Sequence, residues 1–92
     1  MLNEKNIIQK SDNSIESTID GDIVLMNLDN NEYYSMDDIG SAIWNMLNEP
    51  RSINSLIEEL MKQYKVDREV CAKDTMKFLE QLYDKGIIKI NE

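Results

Sequence analysis

The sequence predicts an α+β fold, winged helix-turn-helix-like: a three-stranded antiparallel sheet followed by three helices. Three observations carry this expectation. First, two polar reversals, Asp20-Gly21 and Asp29-Asn30-Asn31, divide the first third of the chain into short strand-like runs. Second, from Asp37 onward the apolar residues recur at i, i+3, i+4 and i+7, which is helical spacing. Third, the second and third helical segments are joined by a tight turn. A chain of 92 residues with 41% hydrophobic content forms one small core, and a domain of this size has modest stability.

Residues 1–13 are polar apart from Leu2, Ile7 and Ile8. Ile7-Ile8-Gln9 has the composition of a short strand, but the segment as a whole is expected to be a flexible N-terminal tail. A single domain then spans 14–92. Its first strand, 14–19, is weakly patterned, with apolar residues at Ile15 and Ile19. The second, 22–28, is apolar and partly β-branched, as strands prefer. Asp29, Asn30 and Asn31 tolerate left-handed backbone geometry and mark the reversal into a third strand, 32–36. That strand carries two adjacent tyrosines, Tyr33 and Tyr34. It has one charge, Glu32, and neither proline nor lysine, the residues that commonly blunt a sheet edge. An edge so poorly protected is covered within the chain or pairs with a strand from another.

Asp37 is a good N-cap for the first helix, whose stripe is Ile39, Ile43, Met46 and Leu47. Gly40 within it implies close packing of the backbone against a neighbour. Asn48-Glu49-Pro50-Arg51 ends that helix. Ser52 caps the second, with the cleanest amphipathic pattern of the chain: Ile53, Leu56, Ile57, Leu60, Met61 and Tyr64. Asp67 caps the third, with Cys71, Thr75, Phe78, Leu79 and Leu82 inward and Val70, Asp74 and Lys77 along an adjacent, more exposed stripe. Gly86 fits the position after a helix end. Ile87-Ile88-Lys89-Ile90 is a terminal strand or an apolar tail docked on the core.

Composition excludes several functions. Ten basic against eighteen acidic side chains give a net charge of −8, which repels nucleic acid and anionic membranes. One cysteine and no histidine leave no internal disulfide and no ordinary structural zinc site. No run resembles a signal peptide or a membrane span, so a reduced, cytoplasmic protein is expected. No cofactor is implied, since the three glycines are isolated and form no phosphate-binding loop. Nor is a catalytic or metal site: Cys71 lacks a histidine to activate it and lies on an apolar stripe, and Asp37-Asp38 are explained by capping and the helix dipole. An acyl carrier would need an Asp-Ser start to a long helix, which Ser41 and Ser52 do not provide. A winged-helix transcription regulator, or another protein-interaction domain, is the alternative that the architecture allows. Against DNA reading, the segment from Asp67 to Lys85 has four basic and five acidic residues, where a recognition helix presents a basic face.

Several stretches together resemble the PqqD family. They are Ile23-Val24-Leu25-Met26-Asn27-Leu28 with Glu32-Tyr33-Tyr34-Ser35-Met36, and Gly40-Ser41-Ala42-Ile43-Trp44-Asn45-Met46-Leu47. Pro50-Arg51-Ser52-Ile53 with Leu56, then Asp74, Phe78-Leu79 and Lys85-Gly86-Ile87-Ile88, continue the match in order over residues 14–90. The Gly-x-x-Ile-Trp run and the Tyr-Tyr strand are similar to the stand-alone proteins of lasso-peptide pathways. Asn48-Glu49 departs from the family's frequent Asp-Gly, in a loop. The resemblance implies a RiPP recognition element: a domain that binds the leader of a ribosomally synthesised, post-translationally modified precursor peptide, here a lasso peptide, and delivers it to the processing enzymes. Implied partners are that leader and a modifying enzyme such as a leader peptidase or a radical-SAM enzyme. The leader adds as a strand beside the third strand and lies against the third helix. The implied leader-binding positions are therefore Glu32, Tyr33, Tyr34, Ser35 and Met36 on the strand, and Val70, Asp74, Lys77 and Phe78 on the helix. The pattern leaves open which of Tyr33 and Tyr34 faces the groove. The residues independently favour the same mode, in which a bare edge supplies backbone hydrogen bonds and an adjacent amphipathic helix supplies pockets.

Overall fold

A computed structural model describes residues 2–91, so Met1 and Glu92, the outer ends of the two expected segments, lie outside the described residues. The element order is β1 (Ile7–Lys10), β2 (Ser14–Ile19), β3 (Asp22–Asn27), β4 (Tyr33–Ser35), α1 (Asp38–Met46), β5 (Arg51–Ser52), α2 (Ile53–Gln63), α3 (Arg68–Asp84) and β6 (Ile88–Ile90).

The expected sheet is β2-β3-β4, antiparallel throughout. Its first reversal is a two-residue turn with φ of +53° at Asp20 and +86° at Gly21, the left-handed pair that matches the twist of a hairpin. The second holds Asn31 at φ +60°. Local polar bonds close it: Asn27 Oδ1 accepts from the Asp29 N–H at 2.9 Å, and Asn30 Oδ1 from the Glu32 N–H at 3.0 Å. The Asn27 amide also donates to the Lys85 carbonyl at 2.9 Å, tying the sheet to the end of α3.

The first two helix caps are as expected. Asp37 Oδ1 accepts from the Gly40 N–H at 2.7 Å, and Ser52 Oγ from the Ser55 N–H at 3.1 Å. Asp67 occupies the N-cap of α3, but its side chain makes no capping bond. The core joins the inner face of the sheet, through Ile23, Leu25 and Met36, to Ile43, Trp44 and Leu47 of α1 and its end. Ile53, Leu56, Ile57 and Leu60 of α2 and Leu79 and Leu82 of α3 complete it with Ile8 and Ile88.

The N-terminal segment differs from expectation. Ile7–Lys10 is the central strand of a second sheet, ordered β5-β1-β6, instead of a flexible tail. Ile8 pairs with Arg51 on one side and Ile90 on the other and is fully buried. Leu2 is buried as well. The segment is held because its partners lie far along the chain, where a local reading of its own residues finds no signal. Lys10 reaches from this sheet to the other half of the molecule. Its ammonium lies 4.4 Å from the centre of the Trp44 ring and 3.8 Å from the Glu16 carboxylate. Burial pushes its pKa down, with Glu16 opposing. Glu16 also accepts from Trp44 Nε1 at 2.6 Å, so β1, β2 and α1 meet at one cluster.

Candidate functional site

The exposed edge of β4 is set by its pairing with β3. In that ladder Val24 faces Ser35, Leu25 faces Tyr34 and Met26 faces Tyr33. The Met36 N–H donates to the Ile23 carbonyl at 3.0 Å, and the Asn27 N–H donates to the Glu32 carbonyl at 2.8 Å. Antiparallel pairs alternate between bonded and non-bonded, so Tyr34 belongs with Glu32 and Met36 in the bonded set. The N–H and C=O of Tyr33 and Ser35 therefore turn away from β3, giving the free edge two donors and two acceptors. Among the described residues, no backbone hydrogen bond from another element reaches those four groups.

Side chains follow the same alternation. Tyr34 lies on the inner face with Leu25 and is half-buried. Its hydroxyl donates to Gln81 Oε1 on α3 at 3.2 Å, and the Lys85 ammonium stands 5.6 Å from its ring centre. Lys85 also pairs with Glu32 at 3.3 Å. Tyr33 projects from the opposite face and is 71% exposed. Tyr34 is thus the tyrosine on the side of α3. Met36, one of the expected site residues, is turned into the core at 3% exposure with its N–H bonded inward.

Between the N-terminal half of α1, which follows β4, and α3 lies a cleft of about 360 Å³. Its α3 wall is Asp74, Thr75, Lys77, Phe78 and Gln81; its other wall is Asp37, Ile39, Gly40 and Ile43. A smaller cavity of about 70 Å³ continues toward the start of α3, sharing Ile39, Asp74 and Thr75 and adding Leu60, Tyr64, Val66, Val70 and Cys71. The expected helix residues Val70, Asp74, Lys77 and Phe78 all line one cavity or the other. Val70 is 53% exposed and lines the smaller cavity. From Val70 to Gln81 the helix runs about 16 Å, the length of about five extended residues.

Ile39, Asp37 and Gln81 were not among the expected site residues. Ile39 belongs to the apolar stripe of α1 by spacing, yet it is 40% exposed because it sits in the first turn, at the lip of the cleft. Gly40 does pack closely: a Cβ there would lie 3.1 Å from Phe78 Cε1, so any larger residue would press on the ring that forms the cleft wall. Among the described residues, no group of three or more histidine, cysteine or carboxylate side chains is placed to hold a metal ion. Cys71 is buried, its thiol 3.9 Å from the Ile57 carbonyl, with no base beside it. The site offers hydrogen-bonding backbone and pockets, an arrangement suited to holding a chain.

A family model described as coenzyme PQQ synthesis protein D (PqqD) matches residues 22–88. No curated protein matches the chain. Among solved structures, TbiB1 in complex with the TbiA(beta) leader peptide is 30% identical. It superposes with a TM-score of 0.80, over 88% of this chain and 94% of that one. A lasso peptide synthetase B1 complexed with the leader peptide has the same fold, at 17% identity and a TM-score of 0.73, over 89% of this chain and 96% of that one. The bare β4 edge, the α3 cleft and the match across most of its length show that this chain belongs to the PqqD family.

Proposed function

We propose that this protein is a RiPP recognition element that binds the leader segment of a precursor peptide, of lasso-peptide type, by strand addition to β4. On this reading it presents the peptide to processing enzymes such as a leader peptidase. The observation that carries the proposal is the phase of β4: Tyr33 and Ser35 aim both backbone groups outward beside the α3 cleft. The two related solved structures hold leader peptides, which supports the ligand class.

Each backbone hydrogen bond contributes only about 1 kcal/mol net, so four of them give weak binding alone. The remaining affinity comes from side chains of the leader entering the cleft against Phe78 and Ile39 and the smaller apolar cavity beside Val70. Asp74 and Lys77 lie at the cleft, neither in an ion pair among the described residues, and they set register by meeting polar or charged leader residues. The test is calorimetric titration with a synthetic leader of the cognate precursor. Ser35→Pro removes an outward donor and leaves the β3 ladder intact, as edge prolines do. Affinity should fall about tenfold or more with the fold retained. Unchanged affinity in a folded Ser35→Pro variant would rule strand addition out.

A further inference from the structure

The outer face of the β2-β3-β4 sheet carries apolar side chains that the peptide site does not use. Directly opposed residues share a face, and the register places Ile15, Met26 and Tyr33 in one row across all three strands. Val24 lies in the next row, between Ser17 and Ser35, and Ile19 lies opposite Asp22 at the hairpin end. Ile15 is 48% exposed and Ile19 55%, with Tyr33 more exposed than either. Exposed apolar residues scattered singly need no explanation, but residues aligned across adjacent strands form a patch, and patches mark interaction surfaces.

The charge around this patch is one-sided. Residues 11–50 contain nine carboxylates and no lysine or arginine, whereas the rest of the chain has ten cationic side chains against nine acidic ones. The net negative charge of the molecule therefore resides in the segment that builds the sheet and α1. Asp20 and Asp22 sit at one end of the sheet, and Asp12, Asp29 and Glu32 follow or precede strands at the other. Among the described residues, Glu32 alone of these is in an ion pair, with Lys85.

We propose that this face is a docking surface for a folded protein partner with an apolar centre and a basic rim. Charge decides among occupants. A second copy would oppose one acidic, cation-free segment to another, and nucleic acid or an anionic membrane would be repelled outright. A basic-rimmed protein is attracted. The face is continuous with the peptide site without competing for it, since Tyr34 and the outward backbone of β4 serve the cleft while Tyr33 points the other way. Resting on the leader-binding reading, the partner is the enzyme that acts on the held peptide, seated on the opposite face of the same three strands.

The test uses the full chain and the purified processing enzymes encoded beside it, with affinity measured in the absence and presence of synthetic leader. Two double variants probe the two features: Ile15→Thr with Ile19→Thr, and Asp20→Asn with Asp22→Asn. Threonine keeps strand propensity and asparagine tolerates the left-handed turn, so both should fold. Each should weaken enzyme binding about tenfold or more while leader affinity stays unchanged. Added salt should weaken wild-type enzyme binding more than that of the Asp20/Asp22 variant. The proposal is overturned if none of those enzymes binds, or if binding survives both double variants. It is equally overturned if the face mediates dimerisation that Ile15→Thr with Ile19→Thr abolishes. Failure of wild-type chain to bind leader would sink the peptide reading alone, because enzyme binding is also read on the peptide-free chain.

Discussion

Tyr34 and Ser35 are adjacent residues whose backbone groups face opposite sides of β4, and proline substitution separates them. The Tyr34 N–H belongs to the set bonded to β3, so Tyr34→Pro should break the native ladder and destabilise the fold, by about 1–3 kcal/mol for the partner carbonyl left unpaired. Ser35→Pro should spare stability and lose peptide. Denaturant unfolding of the two variants side by side checks the assigned phase without any ligand. Asp74 is exposed and off the apolar stripe of α3. Asp74→Ala should leave the unfolding midpoint nearly unchanged and weaken leader binding by about 1 kcal/mol, roughly fivefold. Cys71 lies at the base of the smaller cavity at 8% exposure. Its thiol should react slowly with a labelling reagent in the native protein. Cys71→Ala should retain peptide binding at a stability cost of about 1 kcal/mol. Rapid labelling of folded protein would contradict the burial.

At the scale of elements, Trp44 is where α1, β1 and β2 are joined. It is 2% exposed, donates to Glu16 on β2 and lies under Lys10 of β1. Trp44→Ala should cost about 3–5 kcal/mol, a large share of the roughly 5–15 kcal/mol that holds a typical domain together. A thermal melt reads this directly, and a normal melting temperature would mean that the ring contributes little to packing. The elements also show what a sequence makes visible. Asp20-Gly21, Ser52 and the stripe from Ile53 to Leu60 were legible because each signal lies within a few residues of the structure it specifies. The strand at Ile7–Lys10 was not, because its partners are Arg51–Ser52 and Ile88–Ile90, and a two-residue strand has no period to detect. The site was legible in part for the same reason. Val70, Asp74 and Lys77 share one helical stripe and Phe78 lies on the adjacent one, so their common placement along the cavities is a matter of spacing. The inward turn of Met36 and the exposure of Ile39 depend on where β4 hands over to α1, which only the assembled sheet and helix fix.

For the molecule as a whole, the net charge of −8 sets the partners it can take. Random duplex DNA should not bind at physiological salt, even at micromolar protein, since ten basic against eighteen acidic side chains oppose the phosphate neutralisation that drives counterion release. A salt-sensitive mobility shift would contradict this. No helix among the described residues is long and apolar enough to cross a membrane. Within the fold α1 and α3 wall the cleft, and the hairpin sheet carries the open β4 edge. The most direct test of strand addition is an amide-resolved NMR titration of the full chain with the synthetic leader peptide. The largest shifts should fall on Tyr33, Ser35 and the α3 residues from Val70 to Gln81, with intermolecular contacts between leader amides and the backbone of β4. Shifts clustered on α2, with residues 32–36 and 70–81 unmoved, would contradict it.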